Sequence, residues 1–242
     1  MNSILKKELV AYFGSWNAYF IASLFVLVCS LFLWFFENNF NFFTIGIASL
    51  QSFFNFSPWV LMFLIPALTM KAFAEEKQQG TLSWLFTKPL SLNAIWVGKF
   101  LALLIVVLFC LLPTFVYVYS MKQLSLEQGI IDIGIVISGY LGLFLLSCSF
   151  AAIGIFTSSL ANNQVLAYLS GVFLCMICFF GLESLASFDL LGKFDYYLQR
   201  IGCFSHYKSF TKGIVDTRDV FYFLIVTTIF SMLSLYLIQR KK

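Results

Sequence analysis

Six cysteines, one histidine and eleven carboxylates are the groups from which this chain could build a reactive centre. Cys175 and Cys178 have the spacing of a metal-binding pair, but there is no second pair and no histidine in the apolar runs. Buried thiols acting as small hydrophobes are the expected state. Cys203 and His206 lie three residues apart in a long polar stretch, and one thiol with one imidazole makes no zinc site unless other ligands converge. A phosphate-cradling G-x-x-x-x-G-K-[ST] run is missing: Gly98 with Lys99 and Gly192 with Lys193 lack both the earlier Gly and the following Ser or Thr. There is no Ser, His and Asp set and no H-E-x-x-H on an inner helix. No catalytic, cofactor or metal site is therefore expected in this chain. Asp132 and Glu183 sit near the ends of apolar runs, where contact with a cargo and simple solvation of a helix end both account for them. No charge stands at the centre of a run, where it would cost about 2.5–3.5 kcal/mol, which argues against an ion-coupled carrier built on buried carboxylates.

Two stretches have a pattern with physical content. The first runs from Glu75 and Glu76 through Lys77 to Gly80, Thr81 and Leu82, then past Trp84 to Leu85, Phe86, Lys88 and Pro89. Leu82, Leu85 and Phe86 share one helical face and Pro89 ends the turn. So short a helix can seat an apolar ridge in a soluble partner, its register fixed by the flanking charges, or it can lie among lipid headgroups. The second is Met1 to Trp16, where Leu5, Leu9, Tyr12 or Phe13, and Trp16 recur three or four residues apart with Lys6, Lys7 and Glu8 on the other face. That is an amphipathic helix in the membrane interface, either a plain anchor or an elbow that transmits motion.

The elements that must carry these stretches follow from composition. With 61% hydrophobic and 11% charged residues and a mean hydropathy of +0.92, the chain has too little polar surface to coat a soluble globule. Runs near the 20 or so residues that cross the hydrocarbon as a helix recur at about 18–36, 58–74, 100–119, 130–156, 165–182 and 220–238. The fold class is thus an all-α membrane protein with six transmembrane helices in a single domain, 1–242. Ser57 and Pro58 read as N-cap and first residue of the second span, residues 40–57 before it as a short interfacial helix, and Pro66 and Pro113 as kinks. TSSLANNQ, Thr157 to Gln164, reads as a charge-free turn, and Glu183 to Asp219 as interfacial or outer helices. Small residues at four-residue spacing (Gly134, Ser138, Gly142; Ala167, Gly171, Cys175) allow close helix approach, more often within a chain than between chains. The start lacks a cleavable signal peptide pattern, and the cysteines, mostly inside apolar runs, make no disulfide framework.

Six crossings put both termini on one side. Nine Lys and Arg fall on that side against six opposite, five of those six in one long loop, so the termini are expected in the cytoplasm and the chain in the cytoplasmic (inner) membrane.

The basic amphipathic start, six spans and the inner loop KAFAEEKQQGTLSWLFTKPLSLNAIWVGKF together resemble the type 2 ABC exporter permeases. That family's loop carries an acidic pair (Glu75, Glu76), Gly-Thr-Leu (Gly80, Thr81, Leu82), a short apolar helix (Leu85, Phe86), a proline (Pro89) and Gly-Lys (Gly98, Lys99). The resemblance implies that Thr81 to Thr87 is a coupling helix seated on a separate cytoplasmic ABC ATPase subunit, which would hold ATP and Mg. It also implies that the N-terminal stretch, with Lys6, Leu9, Phe13 and Trp16, is an elbow helix. KKELVAYFGS, PWVLMFLIPALTMKAFAEEKQQGTLSWLFTKPLS and GIVDTRDVFYFL are closer still to the gliding motility-associated permeases of Bacteroidota, the GldF type. The implied assembly is a dimer with a second permease copy or paralogue in the lipid bilayer, open to a periplasmic or membrane accessory subunit and involving no nucleic acid. A membrane scaffold of a motility or secretion machine, without transport, is the competing reading.

Overall fold

The computed structural model describes residues 2–45, 49–80, 91–124, 132–186 and 201–240. Among the described residues every regular element is helical, and six helices are long and apolar enough to cross a membrane. Helix α1 (Asn2–Phe13) precedes the first span, α2 (Asn17–Phe35). A single turn, α3 (Phe42–Ile45), leads to the second span, α4 (Gln51–Thr69), which a short turn joins to α5 (Ala74–Gln78). The remaining spans are α6 (Leu92–Leu124), α7 (Ile133–Leu160), α8 (Gln164–Ser184) and α10 (Thr217–Gln239). Between the last two lies α9 (Cys203–Thr211).

Four of the six spans start where a side chain satisfies a free N–H group of the first turn. Ser91 accepts from Ala94 N at 3.3 Å, Asp132 from Gly134 N at 2.9 Å, Asn163 from Leu166 N at 2.7 Å and Asp216 from Arg218 N at 2.9 Å. Asn38 and Asn41 build the turn after α2: Phe40 N donates to Asn38 Oδ1 at 2.7 Å and Phe43 N to Asn41 Oδ1 at 2.8 Å.

The second span departs from its sequence reading. Its helix begins at Gln51, and Pro58 lies inside it, so Ser57 is no cap; its hydroxyl donates to Phe53 O at 2.6 Å. A proline lacks the N–H that would bond the carbonyl four residues back, here Phe54 O. Tyr207 of α9 fills the vacancy, its hydroxyl donating to Phe54 O at 2.7 Å. A partner from far along the chain thus lets the helix run through a residue that would end it. The third span likewise starts at Leu92, ahead of the expected Phe100, and takes Lys99 inside; it passes Pro113 by a tight 3-10 turn, Leu112–Thr114. Of the expected turn TSSLANNQ, Thr157 to Leu160 are still helical.

The centre of the bundle is α7, against which α4, α6, α8, α9 and α10 pack. Lipid chains are as apolar as leucine, so close approach and not water exclusion selects the contacts. A side-chain carbon at Gly154 would stand 2.0 Å from Thr69 Oγ1, and one at Gly142 would stand 2.6 Å from Phe210 Cβ. The small-residue stripe of this span therefore seats α4 and α9 within the chain, and Ser138 adds a hydrogen bond to Phe210 O at 2.9 Å.

Candidate functional site

One cluster of charged and hydroxyl groups lies at the end that carries the termini. Helix α1 turns Ile4, Glu8 and Tyr12 inward, one turn apart, and leaves Lys6 and Lys7 exposed. Glu8 thus faces the bundle, not the outer face expected from the pattern. Leu9 and Phe13 are half-buried, Phe13 edge-on to Phe109 at 5.3 Å, while Trp16 is 87% exposed.

Glu8 is drawn inward by Lys99. The Lys99 ammonium donates to Glu8 Oε1 and to Glu76 Oε1, each at 2.9 Å, and stands 5.2 Å from the centre of the Phe73 ring. Lys99 is 4% exposed, a degree of burial a cation tolerates only when its protons are met by anions. One side chain on the third span therefore ties α1 to α5. The adjacent Gly98 permits the approach of α1, because a side-chain carbon there would lie 3.0 Å from Ile4 Cγ2.

Around this ion cluster the last carbonyls of α4, which have no partner in their own helix, are met from outside. Tyr12 donates to Leu68 O at 3.0 Å. Burial, with Glu8 and Glu75 nearby, holds its phenol well above the usual tyrosine range, so it remains a donor. The Ser158 hydroxyl on α7 donates to Met70 O at 3.1 Å and accepts from Phe73 N and Ala74 N, both at 3.0 Å. Lys77 reaches the other way, donating to Ser159 O and, at 3.1 Å, to Ala161 O at the end of α7. A cation there also suits the negative end of that helix.

Among the residues singled out from the sequence, Glu75 and Glu76 sit in the first turn of α5, and Glu75 accepts from Gln79 Nε2 at 3.3 Å. Gly80 follows α5 with a φ of 69°, the left-handed conformation glycine adopts most easily at a helix end. Thr81, Leu82, Trp84, Leu85, Phe86 and Pro89 lie outside the described residues. The sequence reading had not assembled Glu8, Tyr12, Lys99 and Ser158 into one site. One signal was present: a lysine inside an apolar helix requires carboxylates, and acidic residues stand at 8, 75 and 76.

At the opposite end His206 Nδ1 pairs with Asp219 Oδ1 at 2.7 Å, and its ring stacks on Tyr222 at 4.0 Å. Cys203 Sγ lies 3.4 Å from the Tyr222 hydroxyl, and burial pushes the thiol up to about 12. No three potential metal ligands converge among the described residues. Asp132 serves as a helix cap.

The cluster at the terminal end has the form of a mechanical joint. It links helix α1, three spans and the residues that lead up to position 80 through bonds with defined lengths and directions. The sequence profile of the ABC-2 family transporter protein matches residues 37–239, from the end of the first span to the end of the last. No curated protein matches the chain. With six apolar spans and a family match over most of its length, the chain belongs to the ABC-2 transporter family and is a multi-pass membrane permease subunit of an ABC transporter, a kind of subunit that works with a partner ATPase.

Proposed function

We propose that the chain is the permease of an ATP-driven exporter serving bacterial gliding motility, with residues 81–87 as the helix seated on a cytoplasmic ATPase. The observation that carries the coupling role is the Lys99 bridge to Glu8 and Glu76 at 2.9 Å. A push on residues 81–87 reaches α5 directly through the chain. From Glu76 it passes to the third span and to α1, while Ser158 and Lys77 pass it to α7. Buried ion pairs suit this task because breaking one leaves an uncompensated charge, so the linked parts move together. In this reading two ATPase copies, holding Mg and ATP, close beneath a pair of permeases and rock the inner halves of the spans. The cytoplasmic placement of the termini rests on the excess of Lys and Arg on that side. The link to gliding rests on the three stretches quoted above.

The test is the double substitution Leu85→Asp with Phe86→Asp. An apolar ridge made acidic should lose the ATPase on co-purification, and ATP hydrolysis in the reconstituted complex should fall to the level of the isolated ATPase. Full retention of both would refute the coupling role of residues 81–87. Labelling a cysteine placed at Ser83 from outside intact cells would overturn the orientation. Loss of export with intact gliding on deletion would detach the chain from motility alone.

A further inference from the structure

Away from the termini, α4 leaves one stripe uncovered while most of its surface is enclosed. Gln51, Asn55, Trp59 and Phe63 recur every four residues along it and all are exposed. The stripe changes character along its length: amides near the end of the helix, then Trp59 stacked on Phe180 of α8 at 3.9 Å, then Phe63 deeper still. Across from the amides, α9 and the residue after it present Lys208 and Lys212, four apart and both exposed. Gln51, Asn55, Trp59, Phe180, Lys208 and Lys212 line a cavity of about 320 Å³ between α4, α8 and α9, with Phe63 one turn beyond it on α4.

The cavity is cationic at its mouth and aromatic at its floor. Glu183 on α8 is close enough to Lys208 to feel its charge and offsets part of it. Lys212 has no acidic partner among the described residues, so the charge these residues place at the mouth is positive. It lies at the level of the span ends, where headgroups meet hydrocarbon and where lysine stems lie along apolar surface with the ammonium in water. A soluble anion would make no use of the Trp59 and Phe180 stack, and a hydrocarbon chain alone would make none of the lysines. An amphiphile with a phosphate head uses both, the phosphate between the lysines, its neighbouring hydroxyls at Gln51 and Asn55, and an acyl chain along Trp59 and Phe63.

We propose that this cavity binds an anionic phospholipid from the leaflet at the end of the bundle opposite the termini. The site stands on its own geometry, whichever way the chain is oriented and whether or not it transports.

The experiment is native mass spectrometry of the full chain, purified in mild detergent and offered phosphatidylglycerol or phosphatidylcholine with identical acyl chains. Phosphatidylglycerol should be retained in preference, by up to about 25-fold if each headgroup-facing lysine contributes about fivefold. Lys208→Gln with Lys212→Gln should bring the two lipids close to parity. Lys122→Gln, at the same end on α6, should leave the preference unchanged. Trp59→Ala should weaken retention of both lipids alike. Equal retention by the unsubstituted chain, or a preference that survives loss of both lysines, overturns the proposal. So does a loss of dimer in the double-lysine variant with lipid preference intact, which would assign the cavity to a second copy of the chain.

Discussion

The two ends of the bundle solve the same problem with a tyrosine and then diverge. At the terminal end Tyr12 of α1 donates to Leu68 O, a carbonyl left open because α4 stops. At the far end Tyr207 of α9 donates to Phe54 O, a carbonyl left open because Pro58 has no N–H. Around Tyr12 the contacts are charged and directional: Lys99 with Glu8 and Glu76, Ser158 with three backbone groups, Lys77 with two carbonyls. Around Tyr207 most contacts are aromatic: Phe179 sits edge-on to Phe204 at 5.4 Å and Phe210 fills the space Gly142 leaves, with the His206–Asp219 pair at 2.7 Å beside them. Aromatic packing fixes position by exclusion and lets surfaces slide. Charged hydrogen bonds fix distance and direction, which a part that transmits motion requires.

The contrast breaks most visibly at Lys99. Lys99→Met leaves two largely buried carboxylates facing each other without their cation and should cost about 3–5 kcal/mol, read as a lowered unfolding midpoint of the purified chain. Adding Glu8→Gln and Glu76→Gln should restore most of the stability without restoring stimulation of the partner ATPase, since the charges would be gone along with the link. Equal stability of Lys99→Met and the unsubstituted chain would show that the cluster bears no load.

Tyr207→Phe comes next. Phe54 O then sits beside a proline inside the bundle with no donor, a loss of about 1–3 kcal/mol that should appear as faster proteolysis at the far end. Tyr12→Phe should cost least, about 0.5–1.5 kcal/mol, the net worth of one neutral hydrogen bond at the last turn of α4. A double-mutant cycle sharpens the comparison. Tyr12→Phe should couple to Lys99→Met through their shared contact with α1, while Tyr207→Phe should simply add.

How much was legible beforehand differs by element. The fourth and sixth spans were placed within a few residues, because a long apolar run bounded by Asp132 or Asp216 states its own length and start. The second span was cut short at Ser57 and Pro58, since that pair is locally a good helix start. The residue that overrides it, Tyr207, lies 153 positions away. The third span was cut at Phe100 because a lysine reads as the edge of a membrane helix unless its partners are known. The candidate site suffered in the same way. Glu76 was singled out for its place in a loop motif, while Glu8 was assigned to the watery face of an amphipathic helix whose inward stripe is set by the ion it meets.

Six apolar runs long enough to cross, and hence termini on one side, are properties of the sequence alone. They follow from run length against bilayer thickness, and each run reports on itself. The meeting of Lys99 with residues 91 positions before it and 23 before it was decided only in the tertiary structure. A charge can enter an apolar helix only where the fold delivers its opposite, and which carboxylates arrive is a matter of packing that no local pattern encodes.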